Sequence, residues 1–409
     1  MRSIKILSII LLLIINNSIL SSRGIDEPLQ MMMPEGKYKW EYGKTSTKIQ
    51  FELIGNLITI PVEINRTKVN LVLDTGMPIM GGLITNNTKA LELNLTYSGE
   101  TQIGAPGGKS SKAKVASNVK FKLGDLEFSN QTFIVMAKSQ NLSYYEFDGV
   151  IGNEIFTRFI VDIDYEKNII TLTEPSDFKL LKDTEKIKLT FENGYPFVSC
   201  SVTMESGINI PLSLVLDLGA SNTLALNPGS QKEIILPSKN IKTGIGRSVD
   251  SELFGYKGRI RKFIIGNQSF NNVLATFNES TYTTFAKYGN LGSGILKRFN
   301  LTFDYTGKML YIKPNKYFND PFEFNMAGID ISKSVDGIVK IDRVLPNSSG
   351  SEVGLETGDS ILKINNLNTV HISRKQLSEL FEQENKIVEL TIKRGKTIKS
   401  ISVKLRRII

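Results

Sequence analysis

The chain has 409 residues, of which 41% are hydrophobic and 22% are charged, and its formal net charge is +9. These proportions are typical of globular proteins and argue against a largely disordered chain or a multispanning membrane protein. The basic residues are spread along the sequence, so no nucleic-acid partner is expected.

The two rarest side chains exclude further kinds of site. His371 is the only histidine, so a zinc site built from two or three histidines is impossible, and a Ser-His-Asp triad would depend on this one residue. Cys200 is the only cysteine and cannot form an internal disulfide. It lies in an apolar segment, which favours a buried small hydrophobe over a nucleophile. No metal or organic cofactor is predicted.

The N-terminus has the pattern of an export signal. Arg2 and Lys5 precede an apolar run over residues 6–15, and small polar residues follow, which predicts a signal peptide over residues 1–23. The run is shorter than the roughly 20 residues of a transmembrane helix, so no membrane span is expected after cleavage. An uncleaved anchor is the alternative. An export signal without disulfides indicates the bacterial periplasm or secretion from a bacterium.

The first half of the chain is rich in predicted strands. Residues 57–64 are largely apolar with β-branched residues and meet a turn at Asn65-Arg66. A second arm follows and ends in Asp74-Thr75-Gly76. A glycine-rich turn is predicted at residues 103–108, and an apolar segment ending in glycine follows at residues 147–152.

The second half repeats these landmarks. VLDTG, which contains Asp74, returns as VLDLG, which contains Asp217, 143 positions later. The glycine that closes the later apolar motif, Gly152, returns as Gly292 after 140 positions. Another glycine-rich turn is predicted at residues 243–247. Two landmarks with nearly the same offset indicate an internal duplication, and we expect two β-barrel lobes over residues 48–178 and 185–315.

Two aspartates in equivalent positions suit one particular chemistry. A two-fold axis between the lobes would bring Asp74 and Asp217 together. Two close carboxyls share a proton, so that one activates water while the other polarises a carbonyl. Gly76 and Gly219 allow the close backbone approach that such a pair needs, and the hydroxyl of Thr75 can brace the paired loops.

On these motifs the chain resembles the pepsin-like and retropepsin-like aspartic peptidases over roughly residues 48–315. The resemblance implies an aspartic endopeptidase acting on polypeptides, with Asp74 and Asp217 as catalytic residues. It implies that Thr75, Gly76, Leu218 and Gly219 shape the catalytic loops. The glycine-rich turns resemble flap tips, which implies contact with substrate for the following residues: Gly104, Gly107, Gly108, Gly244 and Gly246.

One residue departs from the family pattern. Leu218 follows Asp217 where the family usually has threonine or serine, so the hydroxyl brace can come from one side at most. Losing one neutral hydrogen bond costs roughly 0.5–1.5 kcal/mol. The alternative to an active enzyme is therefore a weak or inactive pseudopeptidase that binds peptides.

The C-terminal part, residues 322–409, resembles the PDZ domains of bacterial envelope proteases. A Gly-Leu at residues 354–355 precedes a Gly-Asp turn at 358–359 and a predicted strand at 360–364. A helix is predicted at residues 373–383. The resemblance implies that a peptide C-terminus or an internal strand is bound as an added strand, with its carboxylate held at the loop Ala327-Gly328-Ile329. The overall prediction is a mostly β chain of two lobes followed by a PDZ-like α+β domain.

Overall fold

The computed structural model describes residues 36–79, 81–85, 87–104, 110–136, 147–180, 182–247, 252–279, 286–333 and 337–409. The predicted signal peptide over residues 1–23 lies outside these ranges, as do Gly107 and Gly108. Within them, the chain forms three β-sheets with a few short helices, which confirms the mostly β prediction. Among the described residues, no helix is both long and apolar enough to cross a membrane.

The first lobe is built from strands joined mainly by tight hairpins. Most of its strands form a nine-stranded sheet of order β1-β9-β6-β10-β5-β4-β8-β7, in which β3 also pairs with β4. The elements are β1 (Lys37–Trp40), β2 (Ser46–Gln50), β3 (Glu52–Ile54), β4 (Leu57–Ile64), β5 (Thr67–Leu73), β6 (Gly82–Ile84), α1 (Asn87–Glu92), β7 (Thr96–Gly104), β8 (Ser110–Leu123), β9 (Leu126–Met136), β10 (Gly149–Ile151), α2 (Asn153–Phe156), β11 (Ile160–Asp164) and β12 (Ile169–Thr173), with 3-10 turns at Glu41–Gly43 and Pro175–Asp177.

The second lobe repeats this order. Its elements are β13 (Glu185–Glu192), β14 (Tyr195–Thr203), β15 (Asn209–Asp217), β16 (Leu224–Leu226), β17 (Asn240–Arg247), β18 (Glu252–Ile265), β19 (Gln268–Asn278), β20 (Gly289–Gly292), α3 (Ser293–Leu296), β21 (Phe299–Asp304) and β22 (Met309–Pro314). The strands belong to a thirteen-stranded sheet of order β17-β18-β19-β16-β20-β15-β14-β13-β22-β21-β11-β12-β2, which also takes in three strands of the first lobe.

The two lobes meet at β11 and β21, which pair antiparallel in this shared sheet. Val161 pairs with Phe303, and Ile163 pairs with Leu301. Leu301 lies 140 positions after Val161, and Phe303 lies 140 positions after Ile163, so the two pairs exchange equivalent residues. Asp162 faces Thr302, its own equivalent. This reciprocity is what a two-fold axis between duplicated halves requires.

The main hydrophobic core runs through both lobes, and a smaller buried cluster lies in each. Val72 belongs to the smaller first-lobe cluster and Val215 to the second-lobe one. Side chains two positions apart on a strand share a face, so Asp217 at the end of β15 lies on the same face as Val215. The smaller clusters therefore flank the strand ends that carry the aspartates.

The third sheet belongs to a separate C-terminal unit with its own buried core. Its order is β23-β24-β25-β27-β28, and β26 pairs with β25. The elements are β23 (Ile329–Lys333), β24 (Val339–Val344), α4 (Ser349–Glu352), β25 (Ser360–Ile364), β26 (Leu367–Asn368), a 3-10 turn (Thr369–His371), α5 (Arg374–Phe381), β27 (Ile387–Arg394) and β28 (Thr397–Lys404).

The C-terminal unit contacts the long hairpin of the second lobe formed by β17 and β18. Thr243 on β17 donates its hydroxyl to Asp330 Oδ2 on β23, at 3.2 Å. Arg259 on β18 donates from Nε to the backbone oxygen of Ile409, at 3.0 Å. These contacts connect the edge strand and the last residue of the unit to one wall of the second lobe.

Candidate active site

Each aspartate lies at the end of a strand that a later strand of the same lobe joins in parallel. In the first lobe, Ile151 on β10 pairs with Leu73 at the end of β5. The amide of Asp74 donates to the carbonyl of Ile151 at 2.9 Å. In the second lobe, Gly292 on β20 pairs with Asp217 at the end of β15. The same local topology therefore fixes both aspartate loops.

The glycine after each aspartate lies against the carboxyl of the opposite lobe. A β-carbon on Gly219 would be 2.2 Å from Asp74 Cγ, and one on Gly76 would be 2.9 Å from Asp217 Oδ1. The amide of Gly219 also donates to Asp74 Oδ1 at 3.1 Å, across the lobe boundary, and the amide of Gly76 donates to the same oxygen at 2.6 Å. Any larger side chain at either glycine would push the two carboxyls apart.

The two carboxyls form a fully buried pair. Both side chains have no exposed surface. A β-carbon on Gly76 would lie 2.9 Å from Asp217 Oδ1 and 3.0 Å from Asp74 Oδ1, so the two carboxyls are close neighbours. Asp74 Oδ2 and Asp217 Oδ1 are buried and have no hydrogen-bond partner among the described residues. These two oxygens therefore have hydrogen-bonding capacity that no described residue uses.

Burial and mutual repulsion set the charge of the pair. Burial, and next the negative charge of Asp217, raise the pKa of Asp74 well above its usual range. Burial raises the pKa of Asp217 to about 6. Hydrogen bonds, of which the one from Asn290 has the largest effect, lower this pKa and partly offset the burial. Two carboxyls in contact with raised pKa values hold one proton between them near neutral pH.

A single hydroxyl braces the two loops. Thr75 donates from Oγ1 to the carbonyl of Leu216 at 2.7 Å and accepts from the amide of Leu218 at 2.9 Å. Both contacts cross from the first lobe to the second. The side chain of Leu218 is fully buried in the main core and adds no polar contact. The one-sided brace expected from the sequence is the arrangement in the structure.

Asn290 is a site residue to which the sequence analysis gave no role. Its side chain is 3% exposed and donates from Nδ2 to Asp217 Oδ2 at 2.7 Å. Asn290 lies on β20 where β10 has Val150, 140 positions earlier. The signal was therefore present in the duplication: one half has a polar residue where the other has valine.

The predicted flap residues are partly described. Gly104 ends β7, whereas Gly107 and Gly108 lie outside the described residues. Residues 243–247 do not form the expected glycine-rich turn, because β17 continues through Gly244 and Gly246 to Arg247 and pairs with β18, with an irregularity in register between the two glycines. The glycines serve this irregularity in the strand. Their contact with substrate stays a prediction.

The loop predicted to hold a peptide carboxylate has internal hydrogen bonds. The amide of Ala327 donates to Asn325 Oδ1 at 3.0 Å, and the amide of Gly328 donates to the carbonyl of Asn325 at 3.3 Å. Ile329 begins β23, which pairs with β24 and with no other strand in the described part of the chain. The loop amides are thus largely engaged, while one edge of β23 has no strand partner.

Comparison with known families agrees with this geometry. Residues 60–155 match the family described as aspartyl protease, and residues 340–394 match the family described as PDZ domain. The chain carries an aspartyl protease domain and a C-terminal PDZ domain. A search of curated proteins finds no match.

The two matches cover different parts of the site. The aspartyl protease match contains Asp74 and the strand β10 beside it, and it ends before Asp217. The second lobe is tied to the protease domain by its repeated topology and by the pairing of β11 with β21. The PDZ match begins after the loop at 327–329 and includes α5. Together they support a protease, a hydrolase of peptides, with a PDZ domain for docking.

Proposed function

We propose that this protein is an aspartic endopeptidase in which Asp74 and Asp217 form one catalytic dyad. The observation that carries the proposal is the buried contact between the two carboxyls, each packed against the glycine of the opposite lobe. A pair that shares a proton offers a base and an acid at one place, which is what hydrolysis of an amide by activated water needs.

The proton that the two carboxyls share determines the order of the proposed steps. The ionised carboxylate accepts a proton from water as the water oxygen bonds to the carbonyl carbon of the substrate. The protonated carboxyl donates to the carbonyl oxygen, so the intermediate carries two hydroxyl groups. As the C–N bond breaks, the first carboxyl gives its new proton to the leaving amine, and one hydroxyl returns a proton to the other carboxyl. The dyad ends with one proton, as it began.

The pseudopeptidase alternative rests on Leu218. Against it stands Thr75, whose single hydroxyl already serves both the carbonyl of Leu216 and the amide of Leu218. Within the second lobe, the hydroxyl of Ser293 also donates to the carbonyl of Leu218, at 2.9 Å. The loop that carries Asp217 is therefore held although Leu218 has no hydroxyl. This favours a competent dyad over a misaligned one.

The PDZ domain is proposed to dock polypeptides by adding a strand to the open edge of β23. Two amides of the loop at 327–329 are bonded to Asn325, which favours an internal strand over a captured C-terminal carboxylate. We further propose export to the bacterial periplasm or medium, on the sequence of residues 1–23 alone. N-terminal sequencing of protein from periplasmic and medium fractions tests that location.

Cleavage assays with single variants test the catalytic proposal. Wild type is incubated with a diverse peptide library from pH 3 to 8, and new termini are identified by mass spectrometry. Asp74→Asn and Asp217→Asn should each lower the rate by roughly 10²- to 10⁴-fold. Asp162→Asn, which changes a carboxylate of the shared sheet outside the dyad, is the matched control and should cleave like wild type. Absence of cleavage by folded wild type would favour the pseudopeptidase.

A further inference from the structure

The dyad has a donor on one side that has no counterpart on the other. Asn290 donates from its side-chain amide to Asp217 Oδ2 at 2.7 Å, and its side chain is almost fully buried. The equivalent residue beside Asp74 is Val150, which is fully buried in the smaller first-lobe cluster. Valine offers no hydrogen-bond donor.

The strand registers explain why these two residues are equivalent. Val150 pairs in parallel with Val72, and Asn290 pairs in parallel with Val215, two residues before the aspartate in each lobe. Both therefore lie beside the strand that ends in the aspartate. The two lobes therefore have the same backbone position here and differ only in its side chain, valine in one and asparagine in the other.

The other donors near the pair are backbone amides, which do not depend on the side chain at their position. The amides of Gly76 and Gly219 donate to Asp74 Oδ1, while those of Gly219 and Ala220 lower the pKa of Asp217. A side-chain N–H that donates to a carboxylate oxygen favours the ionised form over the protonated form. Asn290 therefore adds a contribution that favours ionised Asp217, and valine at this position would not supply it.

The other titratable groups that act on the pair do not supply this bias. Tyr195 on β14 interacts electrostatically with both carboxyls, and burial raises its pKa. Tyr305 interacts with Asp74, and burial raises its pKa well above the usual range. Both phenols are neutral at the pH at which the dyad titrates, so they add no net charge to either side.

We infer that Asn290 is a positioning residue that assigns the two roles in the dyad: Asp217 is held as the carboxylate that takes the proton of water, and Asp74 keeps the shared proton. The assignment rests on the proposed peptidase function. In the reaction, Asp217 accepts the water proton and passes it to the leaving amine, while Asp74 donates to the carbonyl oxygen and recovers that proton as the intermediate collapses.

Asn290→Val, which copies the first lobe into the second, tests the assignment. Removing a hydrogen bond to a charged group should move the acid limb of the kcat/KM profile up by about one to two pH units. At pH 5 this corresponds to a fall of roughly 10- to 100-fold. The fall should be in kcat more than in KM, because the amide contacts the dyad. An acid limb that stays in place would overturn the inference.

Asn227→Val is the matched control for the loss of a buried asparagine in the same lobe. Asn227 is 3% exposed and donates to the carbonyls of Ala286 and Lys287, at 2.7 and 3.0 Å. Its replacement should lower the melting temperature and leave the acid limb where it is. An equal shift of the acid limb in both variants would show a general loss of structure and would count against a specific role for Asn290.

A titration that needs no activity separates this inference from the proposed function. Protein labelled with ¹³C at the aspartate carboxyls is titrated by NMR as wild type, Asn290→Val and Asp217→Asn. The lower of the two dyad transitions should rise by about one to two pH units in Asn290→Val. An unchanged transition overturns the role of Asn290 alone, whereas absence of cleavage by wild type overturns the peptidase alone. If Asn290→Val does not fold, Asn290→Ala makes the same comparison.

Discussion

The two lobes share one scaffold and differ in the polar groups placed on it. In the first lobe, Thr75 supplies the hydroxyl that spans the loops, and Val150 lies beside the aspartate strand. In the second, Leu218 is buried in the core and Asn290 donates to Asp217. Each lobe thus contributes one polar group that the other lacks. A fused duplication can divide these roles, whereas two identical subunits cannot.

The lobes also differ in what lies against their long hairpins. In the second lobe, Thr243 donates to Asp330 of the PDZ domain, and the guanidinium of Arg343 lies 4.9 Å from the ring centre of Phe254. Both contacts join β17 or β18 to the strands β23 and β24. The equivalent first-lobe hairpin, β7 and β8, pairs within its own lobe sheet. One hairpin therefore doubles as a platform for the PDZ domain.

Among changes at the residues that differ between the lobes, the largest effect is expected from removing the brace. Thr75→Val leaves two buried backbone groups in the second lobe without their partner, which should lower the free energy of unfolding by about 1–3 kcal/mol. Displacement of the loops should lower kcat by roughly 100-fold. Thr85→Val is the control, because Thr85 is a buried first-lobe threonine that donates to the carbonyl of Asp148. Equal kcat losses in both variants would contradict a special role for Thr75.

The pH dependence of cleavage should reflect the buried pair. Asp217 must be ionised and Asp74 protonated, so activity should rise through pH 6 and fall when Asp74 loses its proton. Below pH 6, kcat/KM should drop about tenfold per pH unit. An initial-rate series from pH 3 to 9 measures the profile. A maximum below pH 4.5 would show that burial does not control the dyad.

A smaller effect is expected from Asp217→Asn on stability. This change should lower the rate of cleavage but raise the free energy of unfolding. Because burial raises the pKa of Asp217, the folded state holds this proton more tightly than the unfolded state. The resulting stability is fully present below about pH 4 and is lost as the pH rises through about 6. Asp217→Asn cannot ionise, so it should raise the free energy of unfolding by about 1–3 kcal/mol at pH 7.5.

Urea denaturation of wild type and Asp217→Asn at pH 4 and pH 7.5 measures this difference. At pH 4 the stability difference should be near zero. A variant that is no more stable than wild type at pH 7.5 would show that the buried carboxylate carries no such cost.

The smallest effect on activity is expected from restoring symmetry. Leu218→Thr gives the second lobe its own hydroxyl but removes a fully buried side chain, which should lower the free energy of unfolding by about 1–3 kcal/mol. One neutral hydrogen bond is worth about 1 kcal/mol, so kcat should change by less than about fivefold. Steady-state kinetics and urea denaturation check both values. A rise in kcat of about 100-fold would mean that Thr75 alone leaves the dyad misaligned.

Much of this could be predicted from the sequence because it depends on local spacing. The repeated aspartate loops and the turns of the C-terminal part led to an aspartyl protease with a PDZ domain in a mostly β chain, and both predictions are confirmed. The expected one-sided brace also followed from comparing Thr75 with Leu218 along the chain.

What the sequence did not predict depends on strand pairing over long distances. Asn290 became a partner of Asp217 only once β20 was seen beside β15. Gly244 and Gly246 read as a turn, but pairing with β18 keeps them in β17. The contact of Thr243 with Asp330 joins residues of two domains, which no local pattern encodes.

The central claim is that one carboxyl from each lobe forms a single proton-sharing dyad. Calorimetric binding of a peptide in which a hydroxyl group replaces the scissile carbonyl, taken from a sequence that the protein cleaves, tests it most directly. Wild type should bind this peptide at least about 100-fold more tightly than the matched amide peptide, and Asp74→Asn or Asp217→Asn should abolish that preference. Equal binding of the two peptides by wild type would contradict the account.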